Sequence, residues 1–239
     1  MTTGIGTIVI FTALPVLATI AGGIVPAIRT PGVSVRSSLQ HFAAGVVFAV
    51  VASELLPDLK HAHSPIAMAL GFALGVAVML GIRRLAPESE ETPGEGRGWP
   101  WGLLVPVGID LLIDGLLLGI GFAAGAREGK LLAAGLAIEG VSLGIATSAT
   151  FTKATSSGCG TAIWVVSALA LCIAAGSAVG AMLLGGLPEA ALAGGLSFGC
   201  AALLYLVTEE LLLEAHEVKD TDLATVMFFA GFLAVYMLA

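Results

Sequence analysis

Residues 100–124 read PWGLLVPVGIDLLIDGLLLGIGFAA, an apolar run interrupted only by Asp110 and Asp114. A helix needs about 20 residues to cross the ~30 Å hydrocarbon core of a bilayer, and this run is long enough to do so. Similar runs fill the chain. They lie at about 4–26, 38–59, 64–84, 100–124, 129–151, 161–184, 189–213 and 221–238, separated by short polar or Pro/Gly-containing breaks. The composition agrees: 57% of the 239 residues are hydrophobic and 11% charged, and the mean hydropathy is +1.01. That balance excludes an ordinary soluble domain. In lipid, a segment of this length must satisfy its own backbone hydrogen bonds, so the expected fold is an all-α integral membrane protein of eight transmembrane helices.

The whole chain, 1–239, reads as one transmembrane domain. Its longest hydrophilic connection, PESEETPGEGRG at 87–98, reads as a flexible link. The first run lacks a basic segment before it and reads as a span rather than a cleaved leader. The net charge of −7 comes with no basic stripe, which argues against a nucleic-acid partner. Cys159, Cys172 and Cys200 have no ligand spacing and read as apolar helix residues. Placing both termini outside leaves Arg29, Arg36, Arg83, Arg84, Arg97, Lys153 and Lys219 on inner connections and only Lys60, Arg127 and Lys130 on outer ones. The positive-inside rule favours that orientation, with a prokaryotic inner (plasma) membrane as the expected location.

Two internal repeats stand out. FAAGVVFAVVASELLPDLKH, from Phe42, and FGCAALLYLVTEELLLEAHE, from Phe198, align at an offset of 156, matching Glu54 with Glu210 and Asp58 with Glu214. The second span would run outward and the seventh inward, so the repeat is inverted, as in many transporters. DGLLLGI from Asp114 and EGVSLGI from Glu139 share an acid-Gly start and a Gly-Ile end at an offset of 25.

Asp110 and Asp114 are one helical turn apart and share a face, and the short repeat sets Glu139 opposite Asp114 across a helix pair. An ionised carboxylate deep in a membrane helix costs roughly 2.5–3.5 kcal/mol by insertion scales. Three of them therefore need a compensating cation, shared protons, or hydroxyl partners such as Ser142, Thr147 and Ser148. Hydration near the interface marked by Trp99 and Trp101 is a further reading. An oxygen-lined cation site or a proton relay accounts best for the cluster. Gly115 and Gly140, each directly after an acid, suggest local helix irregularity there. Glu54, Asp58, Glu209, Glu210 and Glu214, near the ends of spans two and seven, read equally as solvated groups or as pathway ligands. His61 and His63 in a short outer loop, with His41 and His216 at span ends, read as surface histidines that have weak metal capture as their alternative.

These features together resemble the ZIP family of divalent-metal transporters. HFAAGVVFAVVASELLPD at 41–58 is similar to that family's second helix, and EELLLEAH at 209–216 to the acidic end of its seventh. The resemblance implies inverted three-helix repeats around a central helix pair (3+2+3), a homodimer, and a binuclear metal site on helices four and five. In the family's fourth-helix pattern, His-Asn-x-Pro-Glu-Gly, Asp110 stands at the His place, Leu111 at the Asn place and Asp114 at the bridging acid. Aligning Glu139 with the fifth helix's bridging acid leaves Gly135 and Leu136 at ligand positions; a register shifted by four puts Glu139 at the His place and Leu143 at the acid. Ser177 stands where some members carry an acid.

The resemblance thus implies one metal bound by Asp110, Asp114 and Glu139, with Ser142 or Ser177 as auxiliary ligands. Carboxylates without imidazole or thiolate suit manganese, ferrous iron or magnesium as well as zinc. The expectation is membrane transport of a divalent cation rather than an enzyme activity. The alternative is a ZIP-like carrier of a non-metal solute in which the carboxylates couple protons.

Overall fold

The computed structural model describes residues 5–28, 31–61, 64–85, 99–155, 157–184, 187–213 and 222–237, and every element among them is helical. The helices are α1 (Ile5–Ile28), α2 (Val33–Val50), α3 (Leu56–His61), α4 (Pro65–Leu85), α5 (Trp101–Ala124), α6 (Ala126–Thr155), α7 (Cys159–Leu184), α8 (Glu189–Tyr205) and α9 (Asp222–Tyr236). Two π-helical segments, Val51–Leu55 and Leu206–Leu211, continue α2 and α8. Seven helices are long and apolar enough to cross a membrane, and the last expected span is the shorter apolar helix α9. The link 87–98 lies outside the described residues.

Several helices outrun their apolar cores, because hydropathy marks the lipid-facing length and backbone hydrogen bonding continues past it. α2 starts at Val33 after Gly32, ahead of the expected 38, and α6 starts at Ala126 and takes in Arg127. Only Gly125, in extended backbone, separates α5 from α6.

The helices pack in pairs: α1 with α6, α5 with α7, α2 with α9 and α4 with α8, joined by the contacts of α1 with α7, α5 with α6 and α2 with α6. Lipid gives no hydrophobic drive between helices, so close backbone approach at small residues must supply the packing. In the α5/α7 pair, a β-carbon on Gly115 would overlap the Ile173 carbonyl, and one on Gly176 would overlap the Leu112 carbonyl. In the α1/α6 pair, Gly22 lies against the Val141 carbonyl and Gly140 against Thr19. Gly115 and Gly140 sit within uninterrupted α-helix. Their role is helix contact, not the local irregularity expected at these positions.

The irregularity lies elsewhere. The Leu56 amide donates to the Val51 carbonyl and the Leu212 amide to the Val207 carbonyl, both i to i+5 bonds. Pro57 lacks an amide proton and contributes to the first defect; position 213 in the second is leucine. Hydroxyls of both segments bond carbonyls of the helix before them: Ser53 Oγ donates to Ala49 (2.7 Å) and Thr208 Oγ1 to Leu204 (2.9 Å). Such bonds make helix irregularity tolerable in lipid.

The close-packing account makes a paired prediction. Gly176→Ala should lower the midpoint of thermal unfolding in detergent, as overpacking costs about 1–3 kcal/mol. Gly81→Ala, at a glycine with nothing within 4 Å of its β position, should leave it unchanged.

Candidate metal centre

α5 and α6 run antiparallel from the Gly125 turn. Near the turn Gly121 lies against Leu132, and at the far end the Trp99 and Phe151 rings are 5.9 Å apart. Counting along both helices from these contacts brings Glu139 level with the turn that carries Asp110 and Asp114. One ligand oxygen from each of the three residues lies within 4.8 Å of the other two. Asp114 and Glu139 are 2% and 3% exposed and Asp110 is half-buried. Hydration at the interface therefore does not account for the cluster. Cation–oxygen distances run from about 2.0 to 2.6 Å, so a single divalent ion is the right size to touch all three carboxylates.

The same proximity makes the cluster electrostatically demanding. Two unit charges ~5 Å apart at an effective dielectric of about 20 repel by roughly 3 kcal/mol. Full ionisation of two buried acids and a half-buried third calls for a cation or retained protons.

The surrounding helices hold the acids in place. Gly115, following Asp114, presses on α7 at Ile173, and Gly140, following Glu139, presses on α1 at Thr19. Thr19 Oγ1 donates to the Pro15 carbonyl (2.9 Å). Thr12 Oγ1 and Ser177 Oγ share a 2.9 Å hydrogen bond that ties α1 to α7. Ser177, expected as an auxiliary ligand, thus has a structural partner, and the three carboxylates form the cluster that could hold a metal ion. Ser142 is buried one turn beyond Glu139 on the same face of α6. Leu111 is 1% exposed, Leu136 is packed into the main apolar core, and Gly135 faces Val46, Val47 and Val50 of α2. Apolar packing fills the places at which the resemblance implied further ligands.

Polarity differs on the two sides of the cluster. Towards the α5–α6 turn lies the main core, including Leu55, Leu117, Leu132, Leu136 and Leu203. Away from it lie buried polar groups: Thr147 and Ser148 on α6, and Ser37, Gln40 and His41 on α2. His41 corrects the expectation of a surface histidine. It is 4% exposed, because α2 begins two turns earlier, and its Nδ1 donates to the Ser37 carbonyl (2.8 Å).

Among the described residues, the outlying acid Glu209 does not join this site. Glu209 pairs with Arg83 of α4 at 2.6 Å, both side chains being substantially exposed. Glu54 and Glu210 fall within the two π segments, and Asp58 and His61 within α3; their side chains, together with His63 and Glu214, lie outside the described residues. Thr12 and Thr19 are not among the residues expected from the sequence, and His41 is expected there at the surface. For the two threonines, the available signal was a hydroxyl in an otherwise apolar run at i+7 spacing.

No family model matches this chain, and no curated protein matches it.

The cluster's chemistry sets the expected behaviour. In chelator, Asp114→Asn and Glu139→Gln should each melt no lower than the parent, since each removes like-charge repulsion. Adding Mn²⁺ at about 100 times its dissociation constant should stabilise the parent alone, by roughly 2.7 kcal/mol. Differential scanning fluorimetry with and without the ion measures both effects.

Proposed function

We propose that the protein is a membrane transporter of a divalent metal cation, carried through the carboxylate site between α5 and α6 by alternating access. The observation that carries this reading is the convergence of Asp110, Asp114 and Glu139 within 4.8 Å, in the interior of helices long enough to span a bilayer. An ionic cluster so placed is costly unless it handles an ion.

The helix arrangement supports an inverted 3+2+3 repeat. Exchanging α1 with α7, α2 with α8, α4 with α9 and α5 with α6 turns the pair α1/α6 into α7/α5 and the pair α2/α9 into α8/α4, both of which are present. The two i to i+5 bonds, Val51 to Leu56 and Val207 to Leu212, are separated by the same 156 positions as the sequence repeat. Shared backbone irregularity at equivalent positions is hard to obtain except from a duplicated unit. In such carriers the site lies at the interface of the repeats near the membrane midplane.

The ZIP resemblance agrees with this reading. The donor set, all carboxylate with no imidazole or thiolate, favours Mn²⁺, Fe²⁺ or Mg²⁺ over a zinc-specific site. The apolar layer towards the α5–α6 turn and the polar side opposite it describe a state closed at the turn. With both termini outside the cell membrane, that closed side faces outward. A homodimer in the lipid bilayer is the proposed assembly.

A second reading, proton-coupled carriage of a non-metal solute, draws on the same repulsion, which favours protonation of at least one acid. Uptake of Mn²⁺ into proteoliposomes distinguishes the two. The parent should accumulate the ion, and Asp114→Asn and Glu139→Gln should each lower the rate by at least about tenfold, equivalent to ~1.4 kcal/mol. Uptake that persists in both variants would sink the metal reading. Transport driven by a pH gradient at full rate in metal-free buffer would favour the solute carrier.

A further inference from the structure

The two π segments have a property that helix packing alone does not require: each is seated against the regular part of the other's helix. Val51–Leu55 packs on α8, and Leu206–Leu211 packs on α2. A π turn holds one more residue than an α turn, and π segments inside helices recur at functional positions. Converting one to α-helix moves everything beyond it by one residue, about 1.5 Å along the axis and ~100° around it.

The first segment ends in the apolar layer. Leu55, at its end, borders an apolar crevice with Leu117, Leu132 and Leu203. These side chains belong to the layer between the carboxylates and the α5–α6 turn. A rotation of Leu55 would therefore open or refill that layer directly.

The second segment is restrained differently. Glu209 is tied to Arg83 on α4, whereas Ser53, its equivalent at the offset of 156, bonds within its own helix to Ala49. One segment is anchored to a neighbouring helix and the other depends on a local hydroxyl.

We propose that Val51–Leu55 is the gate on the α5–α6 turn side of the site, closed in its π form with Leu55 in the apolar layer and opened by conversion to α-helix. Leu206–Leu211 is its counterpart at the opposite end, held by the Arg83–Glu209 ion pair. The proposal rests on the alternating-access reading and adds the moving part.

The test uses the full chain in liposomes with Cys159, Cys172 and Cys200 replaced. Leu117→Cys in the apolar layer is labelled with a membrane-impermeant maleimide from the α5–α6 turn side, and Leu104→Cys in the separate Leu104–Phe151 cluster is the control. Pro57→Ala restores the amide proton whose absence contributes to the π form, and so favours α-helix there with every residue retained. It should speed labelling of Leu117→Cys at least about tenfold, the result of moving a two-state equilibrium by RT ln 10, and leave Leu104→Cys slow. An unchanged rate at Leu117→Cys overturns the proposal.

Should Pro57→Ala also speed Leu104→Cys, the fold is disrupted and Ser53→Ala decides instead. Losing the Ser53 hydroxyl should speed Leu117→Cys about threefold, which converts to ~0.6 kcal/mol for a hydrogen bond in a membrane helix bundle; no change overturns the gate. Labelling needs no cargo, so a chain that fails to carry Mn²⁺ still reports on the segment. Intact Mn²⁺ uptake with labelling indifferent to both variants would remove the gate and leave transport standing.

Discussion

The three carboxylates meet because the residue after two of them is a glycine pressed against another helix. Successive residues of an α-helix point about 100° apart. With Gly115 turned to α7 and Gly140 turned to α1, Asp114 and Glu139 are turned towards each other. A side chain at either glycine would push its helix off the neighbour against which the acid's direction is set. Packing and chemistry thus share two dipeptides, Asp-Gly and Glu-Gly, and neither can change without the other.

That coupling explains the distribution of polarity. Close glycine contacts supply the cohesion that lipid does not, and this leaves side-chain positions around the site open to other duties. Leu111 and Leu136 fill their space with hydrocarbon, while Thr12, Thr19 and Ser177 use hydroxyls to bind α1 to itself and to α7. The result is a carboxylate cluster with an apolar side and a polar side.

The carboxylates themselves were legible in the sequence, since an acid within a long apolar run is conspicuous and the Asp-Gly and Glu-Gly repeats set two of them in register. The auxiliary positions were not. Ser177 and Glu209 carry the right chemistry, yet Ser177 is bonded to Thr12 and Glu209 to Arg83, partners 165 and 126 residues away. His41 looked like a mouth residue because hydropathy places the start of the span too late. A helix continues as long as its backbone bonds can form, and hydropathy does not register that.

From the sequence alone come the membrane-spanning helices, the 156-residue repeat and the three acids, because apolar run length, periodicity and a buried charge are each local properties of the chain. The tertiary structure decided which oxygens converge, that Gly115 and Gly140 serve packing, and that the irregular backbone lies at Val51–Leu55 and Leu206–Leu211. Those outcomes depend on which helix faces lie against one another. Contacts between α1 and α6, or between α5 and α7, join residues that no local pattern connects, and the energy of such an approach exists only once both helices are in place.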